Sequence, residues 1–153
     1  MPVGHITSHE IGVEDIAVVA EFVWRLLDEL SGGEAPDLAK VRTTTQLVLQ
    51  LESVTGLLAL VDETPVGLLM LNECAAIYAG GRFGEISELY VEPEFRSDGV
   101  AAKLIEDAVR LGQGRNWKRL EVGAPDQPVW KRTFDFYLRN GFAEVGPRLR
   151  KLI

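Results

Sequence analysis

The sequence predicts a mixed α/β fold, one sheet with helices on both faces, and three observations carry that reading. Apolar residues recur at helical spacing from Glu14 to Leu30. Compact apolar runs separated by turn residues fill Gly56 to Leu71, and strand-like and helix-like segments alternate from Glu85 onward. A meander of strands followed by such alternation needs helices to cover both sides of the sheet.

Ile6 to Glu10 reads as a short first strand. The helix after it places Ile16, Val19, Val23, Leu26, Leu27 and Leu30 on one face, and Ser31-Gly32-Gly33 ends it. Leu38, Val41, Val48 and Leu51 mark a second helix, although Thr43-Thr44-Thr45 is a weak helix former. Gly56 to Val61 and Val66 to Leu71 form a hairpin across the turn sequence Asp62-Glu63-Thr64-Pro65. Asn72 to Gly84, with Gly80, Gly81 and Gly84, reads as a flexible connection. Glu85 to Glu92 is a strand stopped by Pro93, and Ala101 to Leu111 a helix with Leu104, Ile105, Ala108 and Leu111 on one side. Leu120 to Val122 is a short strand ended by Gly123-Ala124-Pro125. Trp130 to Arg139 is an aromatic helix capped by Asn140-Gly141. Phe142 to Val145 and Leu149 to Ile153 are expected to pair around Gly146-Pro147.

The 153 residues fit a single domain, 1–153, with no repeat or linker. A formal charge of −7 argues against a dedicated nucleic-acid module, which needs a basic face, and is compatible with a cationic substrate. No apolar run approaches the roughly 20 residues of a membrane span. Met1-Pro2-Val3-Gly4-His5 lacks the pattern of a secretory signal. One cysteine, Cys74, allows no internal disulfide, so a reducing cytoplasm is the simplest compartment. His5 and His9 lie far from that cysteine in the chain, and the three give no metal-ligand cluster. His5 and His9 are expected at the surface, and Cys74 as a small buried side chain.

The informative stretch is Tyr90-Val91-Glu92-Pro93-Glu94-Phe95-Arg96-Ser97-Asp98-Gly99-Val100-Ala101, where a strand ends, a loop turns and a helix opens. Gly99 lets the backbone take dihedrals other residues resist, and Ala101 keeps the helix start uncrowded. Successive backbone N–H groups beside the positive end of a helix dipole suit a phosphate or pyrophosphate. Neither a Walker loop nor a three-glycine dinucleotide fingerprint is present.

This segment resembles the acetyl-CoA pyrophosphate loop of the GNAT superfamily, whose pattern is Arg/Gln-x-x-Gly-x-Gly/Ala after the fourth strand. Phe136-Tyr137-Leu138-Arg139-Asn140-Gly141-Phe142 is similar to that family's Phe-Tyr-x-x-x-Gly-Phe ending of the fourth helix. The resemblance spans Glu14 to Phe142. It implies a mostly antiparallel central sheet of six to seven strands flanked by about four helices. It further implies acetyl-CoA as acyl donor, held at Arg96, Ser97, Asp98, Gly99, Val100 and Ala101, with Leu89, Tyr90 and Val91 binding the pantetheine arm through the main chain. The acceptor would be an amine of a small molecule or peptide, and a homodimer is compatible. Trp130 stands where the family often has Asn, and Asp98 places an acidic side chain in the loop. These departures keep open a non-catalytic acyl-CoA-binding or regulatory module on the same fold.

For catalysis the resemblance implies Tyr137 as proton donor to the departing CoA thiolate, since a phenol is protonated at neutral pH. A protonated amine must first lose its proton, and the strand before the loop offers Glu85, Glu88 and Glu92. Glu85 and Glu88 are three apart and on a regular strand face opposite sides of the sheet, so both reach one cleft only if a bulge intervenes. Glu88, just before Leu89-Tyr90-Val91, is the first choice of base and Glu85 the second. No histidine lies near Cys74 in sequence to activate it, so direct transfer is expected over a covalent acyl-enzyme. The acceptor pocket is expected among the first two helices, the Asn72–Gly84 connection and the C-terminal strands.

Overall fold

In a computed structural model, residues 4–123 and 130–153 are described. Met1, Pro2 and Val3 of the N-terminal reading, and Ala124 and Pro125 expected to end a strand, lie outside them. The elements run β1 (Ile6–Glu10), α1 (Ile16–Leu30), α2 (Leu38–Leu49), β2 (Val54–Val61), β3 (Thr64–Ala76), β4 (Gly81–Val91), α3 (Val100–Gly114), β5 (Leu120–Val122) and α4 (Lys131–Arg139). The strands form one sheet in the order β1-β2-β3-β4-β5, antiparallel except for the parallel β4–β5 pair.

Period-two alternation sends side chains of this sheet to two cores. Leu57, Ala59, Leu69, Leu71, Ile86 and Val91 pack on one face against α3 residues Val100, Leu104 and Ala108. Leu58, Leu68, Met70 and Tyr90 pack on the other against Val19 and Phe22 of α1. α1 ends as its glycines dictate: Gly32 and Gly33 have positive φ, Gly32 N–H donates to Glu29 and Gly33 N–H to Asp28. In α2, Thr43 and Thr45 donate their hydroxyls to the carbonyls of Ala39 and Val41, which accommodates the threonines inside the helix. His5 and His9 are exposed, as expected.

The β2–β3 turn is shorter than expected. Asp62 and Glu63, both with positive φ, make a two-residue turn, and Thr64 and Pro65 already belong to β3. The register skips at Val66, so Pro65 sits beside a bulge, where a missing N–H is tolerated.

Two larger expectations are corrected. Asn72–Gly84 is not a flexible connection: β3 pairs with β4 out to Ala76↔Gly81, leaving only residues 77–80 as the turn. The glycines that suggested a loop serve that turn and a close approach. Gly80 and Gly81 take positive φ. A Cβ at Gly84 would come within 2.3 Å of the Trp117 ring, and one at Gly112 of α3 within 2.8 Å. Trp117 therefore lies against two glycines and wedges α3 onto β4, its indole N–H donating to Glu73 at 2.7 Å. Cys74 lies within β3 and is half-buried rather than buried.

The second correction is the strand count, five among the described residues rather than six to seven. Phe142–Val145 and Leu149–Ile153 do not pair. Residues 142–153 run as irregular backbone, with Val145, Leu149 and Leu152 exposed and Gly146 at positive φ. Among the described residues nothing buries those side chains, so the segment lacks the driving force of a half-buried strand.

Candidate active site

The loop between β4 and α3 is built as a donor cradle. A short 3-10 turn at Pro93–Phe95 leads out of β4, and Ser97 and Gly99 then take positive φ at 71° and 90°. The first α3 hydrogen bond runs from Lys103 N–H to Gly99 C=O. The N–H groups of Val100, Ala101 and Ala102 precede it and have no acceptor within the helix. Its chain neighbours apart, no described atom lies within 4 Å of where a Cβ on Gly99 would stand, so the surface there is open. Left-handed residues ahead of a helix N-terminus give a concavity suited to an anion.

Beside the loop, β4 runs on past the end of β5. β5 pairs with β4 only from Gly84↔Leu120 to Ile86↔Val122. Leu89, Tyr90 and Val91 pair with β3, and among the described residues no strand covers their other edge. Apart from the Val91 carbonyl, which accepts from Arg96 Nε, main-chain groups on such an edge can hydrogen-bond an extended ligand as an added strand would.

The two carboxylates face the same way. Glu88 stands opposite Met70 but Ile86 opposite Leu71, so Ser87 is an extra, bulged residue. Met70 belongs to the core against α1, and Asn72, two positions on, is opposite Glu85. The bulge therefore puts Glu85 and Glu88 on one face, the condition the sequence left open. Glu88 accepts the Ser87 hydroxyl. Glu85 is paired with Arg148 of the C-terminal segment at 2.8 Å, which ties up its carboxylate. Glu92 is taken too, by Arg25 of α1 and by the Tyr90 hydroxyl at 3.1 Å.

Tyr137 is buried on the α3 side of the sheet. It lines a cleft of about 1140 Å³ with Ile105, Leu120, Val122 and Phe142, alongside the C-terminal half of α3; Glu85, on the α1 face by register, borders it, and Glu88 does not. Burial pushes its phenol up to about 12. The loop Arg96–Ala101 stands at the other end of α3 and does not line this cleft. Burial, then the negative charges of Glu85, Glu121 and Glu73, raises the Cys74 thiol, which holds it as a poor nucleophile.

Arg96 is not free. Its Nη1 and Nη2 donate to the two oxygens of Glu29 at 2.6 and 3.0 Å, and its Nε donates to the Val91 carbonyl at 2.8 Å. Glu29 and Arg25 escaped the sequence reading. Their only signal is the spacing Glu21-Arg25-Glu29, which any solvated helix face also shows. Among the described residues no cluster of acidic, His or Cys side chains could hold a metal ion, and no helix is long and apolar enough to cross a membrane.

Over residues 20–142 the chain matches the Acetyltransferase (GNAT) family, and it belongs to that family. An uncharacterized N-acetyltransferase of Archaeoglobus fulgidus is 37% identical over 67 residues, 43% of this chain and 46% of that protein, so the match spans about half of the relative's length. The fold is shared with the ribosomal-protein-alanine N-acetyltransferase of Brucella melitensis biovar Abortus, at TM-score 0.75 and 20% identity over 97% of this chain and 99% of that one. It is shared also with AAC(6')-Iy bound to the bisubstrate analogue CoA-S-monomethyl-acetylneamine, at TM-score 0.77 and 16% identity over 98% and 99% of the two chains. The protein is thus an acetyltransferase-family chain with the mixed α/β GNAT fold.

Proposed function

We propose that the chain, as one domain, transfers an acetyl group from acetyl-CoA to an amine of a small molecule or peptide by direct attack. The observation that carries this reading is the continuity of two binding features. Among the described residues the β4 edge at Leu89–Val91 is unpaired on one side, and it leads straight into the left-handed loop at the start of α3. An extended thiol arm ending in a pyrophosphate has this shape: strand-edge hydrogen bonds for the arm, and the amides from Ser97 to Ala101 for the phosphates. The AAC(6')-Iy complex, on the same fold, holds a CoA analogue.

The chemistry follows from the side chains. Glu88, the carboxylate not engaged by a cation among the described residues, takes the amine proton directly or through water, with Glu85 second. The amine attacks the thioester carbonyl, and β4 main-chain N–H groups near Tyr90 stabilise the oxyanion. The tetrahedral intermediate loses its second nitrogen proton to Glu88 or water and collapses, the C–S bond breaks, and the departing thiolate takes its proton from solvent water. A phenol held near 12 is always protonated at working pH, so Tyr137 is a standing donor. A thiol is the stronger acid, at about 8.5, so full transfer from the phenol runs uphill. Tyr137 therefore helps most as a hydrogen bond to charge growing on sulfur.

Acetyl-CoA turnover on a panel of amines, read as free-thiol release, tests the proposal. Amine-dependent release is expected. Tight CoA binding without release on any amine would favour a non-catalytic acyl-CoA-binding module.

A further inference from the structure

Two residues one turn apart on α1 meet two residues four apart at the exit of β4, with opposite charges facing each other. Arg25 pairs with Glu92, and Glu29 pairs with Arg96. Tyr90 lies between them: its hydroxyl donates to Glu92 and its ring carries the Arg96 guanidinium at 5.5 Å from its centroid. The same ring packs against Phe22 of α1, centroids 5.5 Å apart. Tyr90 belongs to the core on the α1 side, whereas α3 packs on the opposite face of the sheet. The guanidinium of Arg96 is therefore engaged on the α1 side, away from the free amides that open α3.

We propose that Arg96 is not a phosphate ligand but half of a clasp with Glu29, which ties α1 to the β4–α3 loop and sets the loop for the CoA pyrophosphate. This rests on the proposed function. All three guanidinium nitrogens already have acceptors: Glu29 takes the fork, and the Val91 carbonyl takes Nε. Bidentate geometry fixes the arginine's direction as well as adding attraction. The carbonyl bond reaches back to the last residue of β4, so the loop between Val91 and Arg96 is pinned at both ends. Glu29 and Arg96 are positioning residues, and the loop amides do the binding.

The sign of one change separates this from the simpler account. If Glu29 acts only as a nearby negative charge, or competes with phosphate for Arg96, Glu29→Gln strengthens CoA binding. The clasp requires the opposite, a weakening of about three- to fivefold, the size an exposed but bidentate pair reaches. Calorimetric titration with CoA measures it. The difference between parent and variant should shrink at about 1 M salt, where charges are screened beyond about 3 Å. Glu29→Asp should recover part of the loss.

The second measurement needs no ligand. Amide hydrogen exchange across Arg96–Val100 should speed up in Glu29→Gln while the β2 and β3 amides stay unchanged. Equal or tighter CoA binding, or unchanged exchange in the loop, overturns the clasp. A parent protein that binds no CoA overturns the proposed function instead, and the exchange measurement still decides the clasp.

Discussion

The amide of Phe142 donates to the carbonyl of Tyr137 at 3.0 Å, and their rings stand edge to face with centroids 5.4 Å apart. Gly141, at φ 91°, makes this possible, and its own N–H donates to Leu138. The Phe-Tyr-x-x-x-Gly-Phe sequence is thus a helix C-cap in which the residue after the glycine packs on the residue five before it. The cap fixes the ring that lines the cleft.

Tyr137→Phe keeps that ring and its packing and removes the hydroxyl. Turnover should fall about 10²-fold, the size of losing a hydrogen bond to developing charge, with near-normal acetyl-CoA binding and an unchanged melting temperature. A folded variant within about threefold of the parent rate removes Tyr137 from the mechanism.

The same phenol predicts an alkaline signature. Its folded value of about 12 lies above the usual value of about 10. The neutral form is favoured in the fold, so its stabilisation is complete below pH about 10 and is lost as pH rises through about 12. The loss is on the order of 2–3 kcal/mol. Chemical denaturation at pH 9 and at higher pH should show Tyr137→Phe with a flatter decline than the parent. Parallel declines would place the phenol in a more solvated setting.

Glu88→Gln should lower the rate at neutral pH by about 10²-fold and make it depend more steeply on alkaline pH, because the amine must then lose its proton to solvent. Glu85→Gln should do less, since Arg148 holds that carboxylate. If both variants keep the parent pH–rate profile, neither is the base.

Gly99→Val forces a β-branched residue into φ 90° and puts a side chain over the open amides. About 1–2 kcal/mol of strain is expected, with a drop of several degrees in melting temperature. The CoA dissociation constant should rise at least about tenfold, since the anion loses its direct approach to the amides. Unchanged affinity in the folded variant removes the loop from the cofactor site.

Gly84→Ala tests the wedge instead. Its Cβ would meet the Trp117 ring at 2.3 Å, so about 1–3 kcal/mol of destabilisation should follow. A melting temperature equal to the parent's would show that Trp117 can shift without cost.

Much of this was legible in the sequence where one residue type carries one physical signal. Gly99 and Gly141 announced left-handed turns, and the apolar spacing of α1 and α3 announced their buried faces. Glycine misled where it served packing: Gly84 sits inside β4 because Trp117 needs the room, and it read as loop. The Phe142–Ile153 strands were expected from apolar residues alone, but pairing needs a face to bury them. The bulge at Ser87 left no mark, since it exists only in the register between β3 and β4. The partners of Arg96 were invisible for a like reason, as Glu29 lies 67 residues away in the chain.

The most direct test of the central claim is a mass balance on the complete reaction. The protein is incubated with acetyl-CoA and an accepting amine, and thiol, amine and protein are measured together by chemical assay and mass spectrometry. Direct transfer predicts one acetylated amine for each thiol released and no acetyl group on the protein at any time. Thiol release without acetylated amine, or an acetyl group accumulating on Cys74, would contradict it.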